Sequence, residues 1–197
     1  SRGLGDVYKR QFLLACALAV VLAALAARYR RAEELLAPLV SVVKAVPVAS
    51  FIILVLLWFS GKNLSVIISM LMVFPVIYMN VLEGIRSADE ELLEMAQVFR
   101  LSVSKKLLYI YLPAVAPFFV SACSVSLGLC WKSGIAAEVI GTPDGSIGAV
   151  FYQAKIFLQT SELLAWTVVV VAVSVAFEKL FMFLLRLVLK KLKMEDV

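Results

Sequence analysis

Glu83 to Pro113 reads EGIRSADEELLEMAQVFRLSVSKKLLYIYLP, and charge is concentrated there in an otherwise apolar chain. Ser87-Ala88-Asp89-Glu90 has the S-x-x-E spacing of a capping box, in which Ser87 caps a helix and Glu90 reaches back to its amide. The acidic run Asp89, Glu90 and Glu91 suits the positive end of the helix dipole. Leu92, Met95 or Ala96, and Phe99 then recur at helical spacing, which predicts a short amphipathic helix. Ser102 or Ser104 can cap a second helix that runs through Lys105 and Lys106 into the apolar sequence beyond. The expectation is a helix–turn–helix elbow joining two long apolar segments.

Working outward, charge-free runs set the map. They cover 11–27, 45–61, 63–82, 107–131 and 163–177, the last continuing past Glu178 and Lys179 to Leu185. A membrane span takes about 20 mostly apolar residues, so five spans are expected. The second begins near Leu35 and carries Lys44 near one end, where its stem can snorkel. The totals agree: of 197 residues 63% are hydrophobic and 17% charged, with a mean hydropathy of +0.99. A single soluble core of this size cannot hide that excess, so the fold class is an all-α integral membrane protein. The net charge of +5 reflects basic residues at the ends of apolar runs, a topology signal rather than a sign of nucleic acid.

Placing the loop after the first span in the cytoplasm puts eleven Lys and Arg on that side, namely Arg28, Arg30, Arg31, Arg86, Arg100, Lys105, Lys106, Arg186, Lys190, Lys191 and Lys193. Lys62, Lys155 and Lys132 are left for the other side. The C-terminus, with a tail over 191–197, is therefore expected inside, and five spans put the N-terminus outside. Arg2, Lys9 and Arg10 oppose that pattern. Residues 1–11, SRGLGDVYKRQ, resemble translated sequencing-adapter read-through and are read as a doubtful or non-native tail ahead of a membrane domain over 12–190.

Several chemistries are excluded. Without histidine there is no Ser-His-Asp triad, HExxH zinc site or haem–His ligation. Cys16, Cys123 and Cys130 lack CxxC spacing and read as small buried helix residues. Gly61-Lys62 is not a phosphate loop, so the chain is expected to bind no ATP itself. No cofactor or metal is expected. Gly141-Thr142-Pro143-Asp144-Gly145 reads as a turn, and 146–160 as an outer-face helix or re-entrant piece. Trp58, Trp131, Trp166 and Tyr152 fit interfacial anchors and core packing equally.

The elbow's first helix is acidic, whereas helices lying on a negative inner leaflet carry Lys and Arg. That favours a protein partner. EMAQVFRLSVSKKLLYIYLP (94–113) resembles the EAA loop of binding-protein-dependent ABC transporter permeases, whose pattern is E-A-A, three residues, G, nine residues, I-x-L-P. Glu94, Met95 and Ala96 fill the first three positions, and Ile110, Leu112 and Pro113 the last, with the spacing kept throughout. Arg100 stands where the family has glycine. Glycine tolerates positive φ cheaply and arginine does not, so the turn is expected nearby or with a different geometry. The resemblance runs from Leu39 to Arg186 in the style of the nitrate/sulfonate/taurine branch, through PVASFIILVLLWFSG at 47–61 and WKSGIAAEVIG at 131–141.

The resemblance implies a type I ABC importer permease fold with a cytoplasmic coupling helix, in a bacterial inner membrane. It further implies a second permease chain, cytoplasmic ABC ATPase subunits that each receive one coupling helix, and an external substrate-binding protein. Such permeases have about six spans, which suggests that one is missing here, although a related permease group has five. Glu94, Met95, Ala96, Arg100, Ile110, Leu112 and Pro113 are the expected coupling residues. Ionisable residues in spans are functional candidates, so Glu138 and Lys132 are weighed as an outer gate against an interfacial lysine and a glutamate in the outer loop, exposed or paired. The competing readings are a secondary transporter or channel working without an ATPase, and a membrane-embedded enzyme, which lacks paired carboxylates.

Overall fold

The positions of alanine and proline shape the bundle. The computed structural model describes residues 4–59 and 61–191, with side chains described over 11–59 and 63–191. The side chains of Arg2, Lys9, Arg10, Lys62 and Lys193, and the tail beyond Lys191, lie outside that range. Helix α1 (Leu4–Arg28) buries Phe12, Ala15, Ala19, Ala23 and Ala26 along one stripe. Small residues there let a neighbouring helix approach closely. Leu13, Leu14, Leu18 and Val21 face outward. Gln11, expected in the doubtful tail, is buried, and its Nε2 donates to Cys130 Sγ at 3.7 Å.

The second expected span is made of two helices. α2 (Arg30–Ala45) and α3 (Val48–Trp58) are bent by 106° at Val46-Pro47. Pro47 lacks an N–H and pushes the preceding residue into extended geometry, and Val46 has φ −77° and ψ 132°. Pro38 is accommodated inside α2. α4 (Gly61–Arg86) follows and tolerates Pro75. After α5 (Glu90–Val98), α6 (Val103–Gly141) runs for 39 residues, about 58 Å at 1.5 Å per residue. The long α8 (Thr160–Lys191) is reached through the short α7 (Ile147–Ile156).

Among the described residues four stretches are long and apolar enough to cross a membrane, Gln11–Arg28, Asn63–Arg86, Val103–Gly141 and Thr160–Lys191; the bent α2–α3 pair makes a fifth if it is one span. The main core joins α1, α4 and α6 through Phe12, Ala19, Val73, Ile77, Cys123 and Leu127. Ser69 Oγ donates to the Cys130 carbonyl at 3.1 Å, satisfying a polar group inside it. All three cysteines are free and buried. A second core gathers Ile52, Leu64, Ile68 and Ala137 where α3 meets α4 and α6. α8 lies along the outside, touching the core through Phe181 against Phe12 (5.3 Å between ring centroids) and Phe177 against Trp131 (6.0 Å). Trp131 is thus a core residue, while Trp58 is 81% exposed.

Candidate functional site

The elbow forms, with different capping from that expected. Asp89 is the N-cap of α5 and accepts from the Glu91 amide at 2.9 Å. Ser87 turns back instead, donating to the Gly84 carbonyl at 3.0 Å, so it closes α4 rather than opening α5. Gly84 also lets α6 cross close by: a Cβ there would lie 2.9 Å from Val115 Cα. At the far end of α5, the Leu101 amide donates to the Ala96 carbonyl at 2.9 Å and the Arg100 amide to the Gln97 carbonyl at 3.0 Å. That pair of bonds is a Schellman closure, which requires a left-handed residue just beyond the helix. Arg100 supplies it, with φ +50°. The expectation of a turn made nearby or with a different geometry is therefore corrected: the turn is made at Arg100 itself, in the left-handed conformation that glycine would take. Side chains of L-residues strain in this conformation by about 1–2 kcal/mol, and the two closing bonds, with half-buried Leu101, hold it there.

The seven motif residues divide by burial. Ala96 is fully buried and Ile110 nearly so, and they share a small core with Ala88, flanked by Leu93, Leu101, Tyr111 and Ala114. Ala96 is small enough to seat α5 against the start of α6. Glu94, Met95 and Arg100 point outward. Beside them Val98 is 79% exposed and Phe99 71%. Leu112 is half-buried and Pro113 exposed. Just before them, α6 widens into a π-helical turn over Leu107–Tyr111, closed by the Leu112 amide on the Leu107 carbonyl. Pro113 has no N–H to offer the regular ladder, and such wide turns accommodate that kind of interruption. Ser102 takes the N-cap position of α6, without a side-chain cap bond.

The elbow is tied to α2 by a contact 53 residues apart in sequence. Arg86, the last residue of α4, donates from Nη2 to Glu33 Oε2 at 2.5 Å. No local pattern announces this pair.

Lys132 and Glu138 are not brought together. Lys132 is exposed, while Glu138 is buried, and both lie on α6, which continues to Gly141 rather than ending near Trp131. Glu138 is thus in a helix, not in a loop. Its Oε2 accepts from the Gly148 amide at 3.2 Å, in the first turn of α7, where a carboxylate is favoured by the helix dipole. Ser146 caps the same turn by accepting from the Ala149 amide at 3.0 Å. Between α6 and α7 the predicted turn forms, with Gly145 at φ +73° and the Ser146 amide on the Pro143 carbonyl at 3.2 Å.

These features define a multi-pass, all-helical membrane protein whose long spans α4 and α6 are joined by a helix–turn–helix elbow. Residues 19–194 match the family described as binding-protein-dependent transport system inner membrane component, and the chain belongs to that family, with its type I ABC permease fold. Its relatives place it in the nitrate/sulfonate/taurine branch. SsuC of Bacillus subtilis, named as an aliphatic sulfonates transport permease, is 30% identical over 165 residues, covering 83% of this chain and 59% of SsuC. The Escherichia coli SsuC is 37% identical over 148 residues, covering 73% of this chain and 52% of SsuC. The taurine transport system permease TauC of Escherichia coli is 27% identical over 145 residues, covering 73% of this chain and 52% of TauC. The chain spans somewhat more than half the length of these relatives.

Proposed function

We propose that this chain is the membrane-spanning permease subunit of an ATP-driven importer, forming the translocation pathway and receiving movement from a cytoplasmic ATPase through the elbow. The observation that carries this reading is the division of the elbow into a buried joint and an exposed apolar face. Ala96 and Ile110 lock α5 to α6, while Met95, Val98 and Phe99 stay open next to Glu94 and Arg100. A side chain of this kind gains about 1.5–3 kcal/mol when fully buried, so the face suits a protein cleft. A short helix clamped by a partner and locked to two spans moves them as a rigid body.

In this reading ATP is hydrolysed on the separate subunit, and the permease itself is no enzyme. A second permease chain, most simply another copy, completes the pathway. An external binding protein delivers the cargo, and the C-terminus and elbow face the cytoplasm, as the distribution of Lys and Arg favours. The relatives named for sulfonates and taurine support a small oxyanion as cargo. Co-purification tests the assignment. The chain expressed with the ATPase from a neighbouring reading frame is expected to form a stable complex, and Glu94→Ala to lower uptake. No complex with any ATPase, together with uptake indifferent to Glu94, overturns it.

A further inference from the structure

The three basic helix ends around the elbow enclose a groove. Arg28 and Arg86 are the last residues of their apolar stretches, and Val103 is the first of its own. Between these ends a cavity of about 510 Å³ is walled by Val20 and Ala24 of α1, Val81 and Ile85 of α4, and Leu107 and Leu108 of α6. Leu107, Leu108 and Tyr111 reach it from the π-helical turn, an irregularity often found at functional sites. The cavity passes into a second of about 230 Å³, which shares Ala24, Ile85, Leu107 and Tyr111 with it and is bounded by Arg28.

The groove has the length of an acyl chain. On α6 it runs from Ser104 to Val115, about 16 Å at 1.5 Å per residue. One leaflet of a hydrocarbon core about 30 Å thick has that depth. The wall is mainly aliphatic, and Leu107 and Leu108 are exposed in it, so covering it with hydrocarbon is favourable. Its end carries unsettled positive charge. Arg28 is exposed, and among the described residues no carboxylate pairs with it. Glu33 and Glu34, which line a neighbouring cavity with it, are engaged by Arg86 and Arg30. The Arg28 guanidinium lies over the Tyr29 ring, 5.8 Å from its centroid, which leaves the charge in place. Lys105 and Lys106 follow Ser104 in the chain, also without a carboxylate partner among the described residues. An aliphatic groove of one leaflet's depth, ending at an unpaired guanidinium, matches the acyl chain and phosphate of an anionic lipid. Basic sites between spans recognise such headgroups, and arginine suits phosphate.

We propose that this groove binds an anionic phospholipid, one acyl chain lying along Val81, Leu107 and Leu108 and the headgroup meeting Arg28. Ile110, which locks α5 to α6, belongs to the same π turn, so the lipid seats against the joint of the elbow. The site goes beyond the permease reading and depends on neither an ATPase nor a cargo.

Lipid binding by the purified full chain tests the site. Native mass spectrometry, titrating phosphatidylglycerol against phosphatidylcholine of the same acyl chains, is expected to show about fivefold tighter binding of the anionic lipid, the contribution of one basic residue near such charge. Arg28→Gln should abolish the preference and Arg28→Lys keep it, while Arg186→Gln on α8 should leave it unchanged. Ala24 lines both parts of the groove, so Ala24→Phe should weaken both lipids alike. Phosphatidylglycerol with a photoreactive diazirine on one acyl chain locates the site, with adducts expected within 81–85 and 104–115. Equal binding of the two lipids, a preference indifferent to Arg28→Gln, or adducts confined to other segments overturns the proposal. Ala24→Cys, the native cysteines being buried, is expected to give no linked pair of chains with a short bifunctional thiol reagent. Efficient linkage assigns the groove to a second copy and also overturns it. If Ala24→Phe does not fold, the Arg28 variants and the adduct map still decide.

Discussion

The Gly148 amide donates to the Glu138 carboxylate at 3.2 Å, across an approach so close that a methyl group on Gly148 would run into the backbone of Glu138. Gly148→Ala is therefore expected to push α7 off α6, costing about 1–3 kcal/mol by overpacking. Thermal denaturation in detergent measures it. Glu138→Gln keeps an acceptor and should stay within about 1 kcal/mol of the parent, whereas Glu138→Ala strands the buried amide at a cost of about 1–3 kcal/mol. Transport separates this structural role from an outer gate: a gate predicts that Glu138→Gln folds normally yet loses binding-protein-stimulated uptake.

Arg100 is held at φ +50°, where glycine carries no Cβ penalty. Arg100→Gly should stabilise the elbow by about 1 kcal/mol, and the β-branched Arg100→Val should destabilise it by a similar amount or more. Hydrogen exchange at the Arg100 and Leu101 amides, both engaged in the closure, reports the change locally, with slower exchange expected for glycine.

Ala96→Leu places a large side chain in a fully buried position against Ile110 and Ala88. The expected cost is about 1–3 kcal/mol, and the functional consequence is a loosened joint. In the assembled transporter, ATP hydrolysis should persist while cargo uptake falls, an uncoupling read by measuring both on one preparation.

Val98→Asp and Phe99→Asp alter the exposed face of α5 without touching the joint. Stability is expected to stay within about 0.5 kcal/mol, as for surface substitutions generally. Co-purification of the ATPase should be lost in both. Retention of the complex at parental yield would move the docking surface elsewhere.

The elbow was legible because its determinants are local. An acidic run before an apolar-periodic segment, and serines ahead of two lysines, predict α5 and the start of α6. Which side chain caps α5 was not, because Ser87 and Asp89 are both good caps two residues apart, and the C-terminal demand of α4 claims Ser87. Propensity alone argues against a turn at Arg100. Two main-chain bonds and the placement of Leu101 outweigh the strain of one left-handed residue. Pro38 and Pro47 look alike in sequence, yet only Pro47 marks the 106° break. The Glu138–Gly148 and Arg86–Glu33 contacts depend on how helices meet, and no periodicity encodes that.

The break at Val46-Pro47 bears on how force moves through the molecule. The Val46 amide closes the last bond of α2 on the Val42 carbonyl, and the next ladder starts afresh with the Ser50 and Phe51 amides on the Pro47 carbonyl. Torque travels along an unbroken run of such bonds and stops where the run is cut. In the proposed coupling, a twist that Arg86 passes to Glu33 is therefore carried along α2 only as far as Val46. On the far side of the break α3 answers to α4 instead, through the contacts of Ile52 with Leu64 and Ile68.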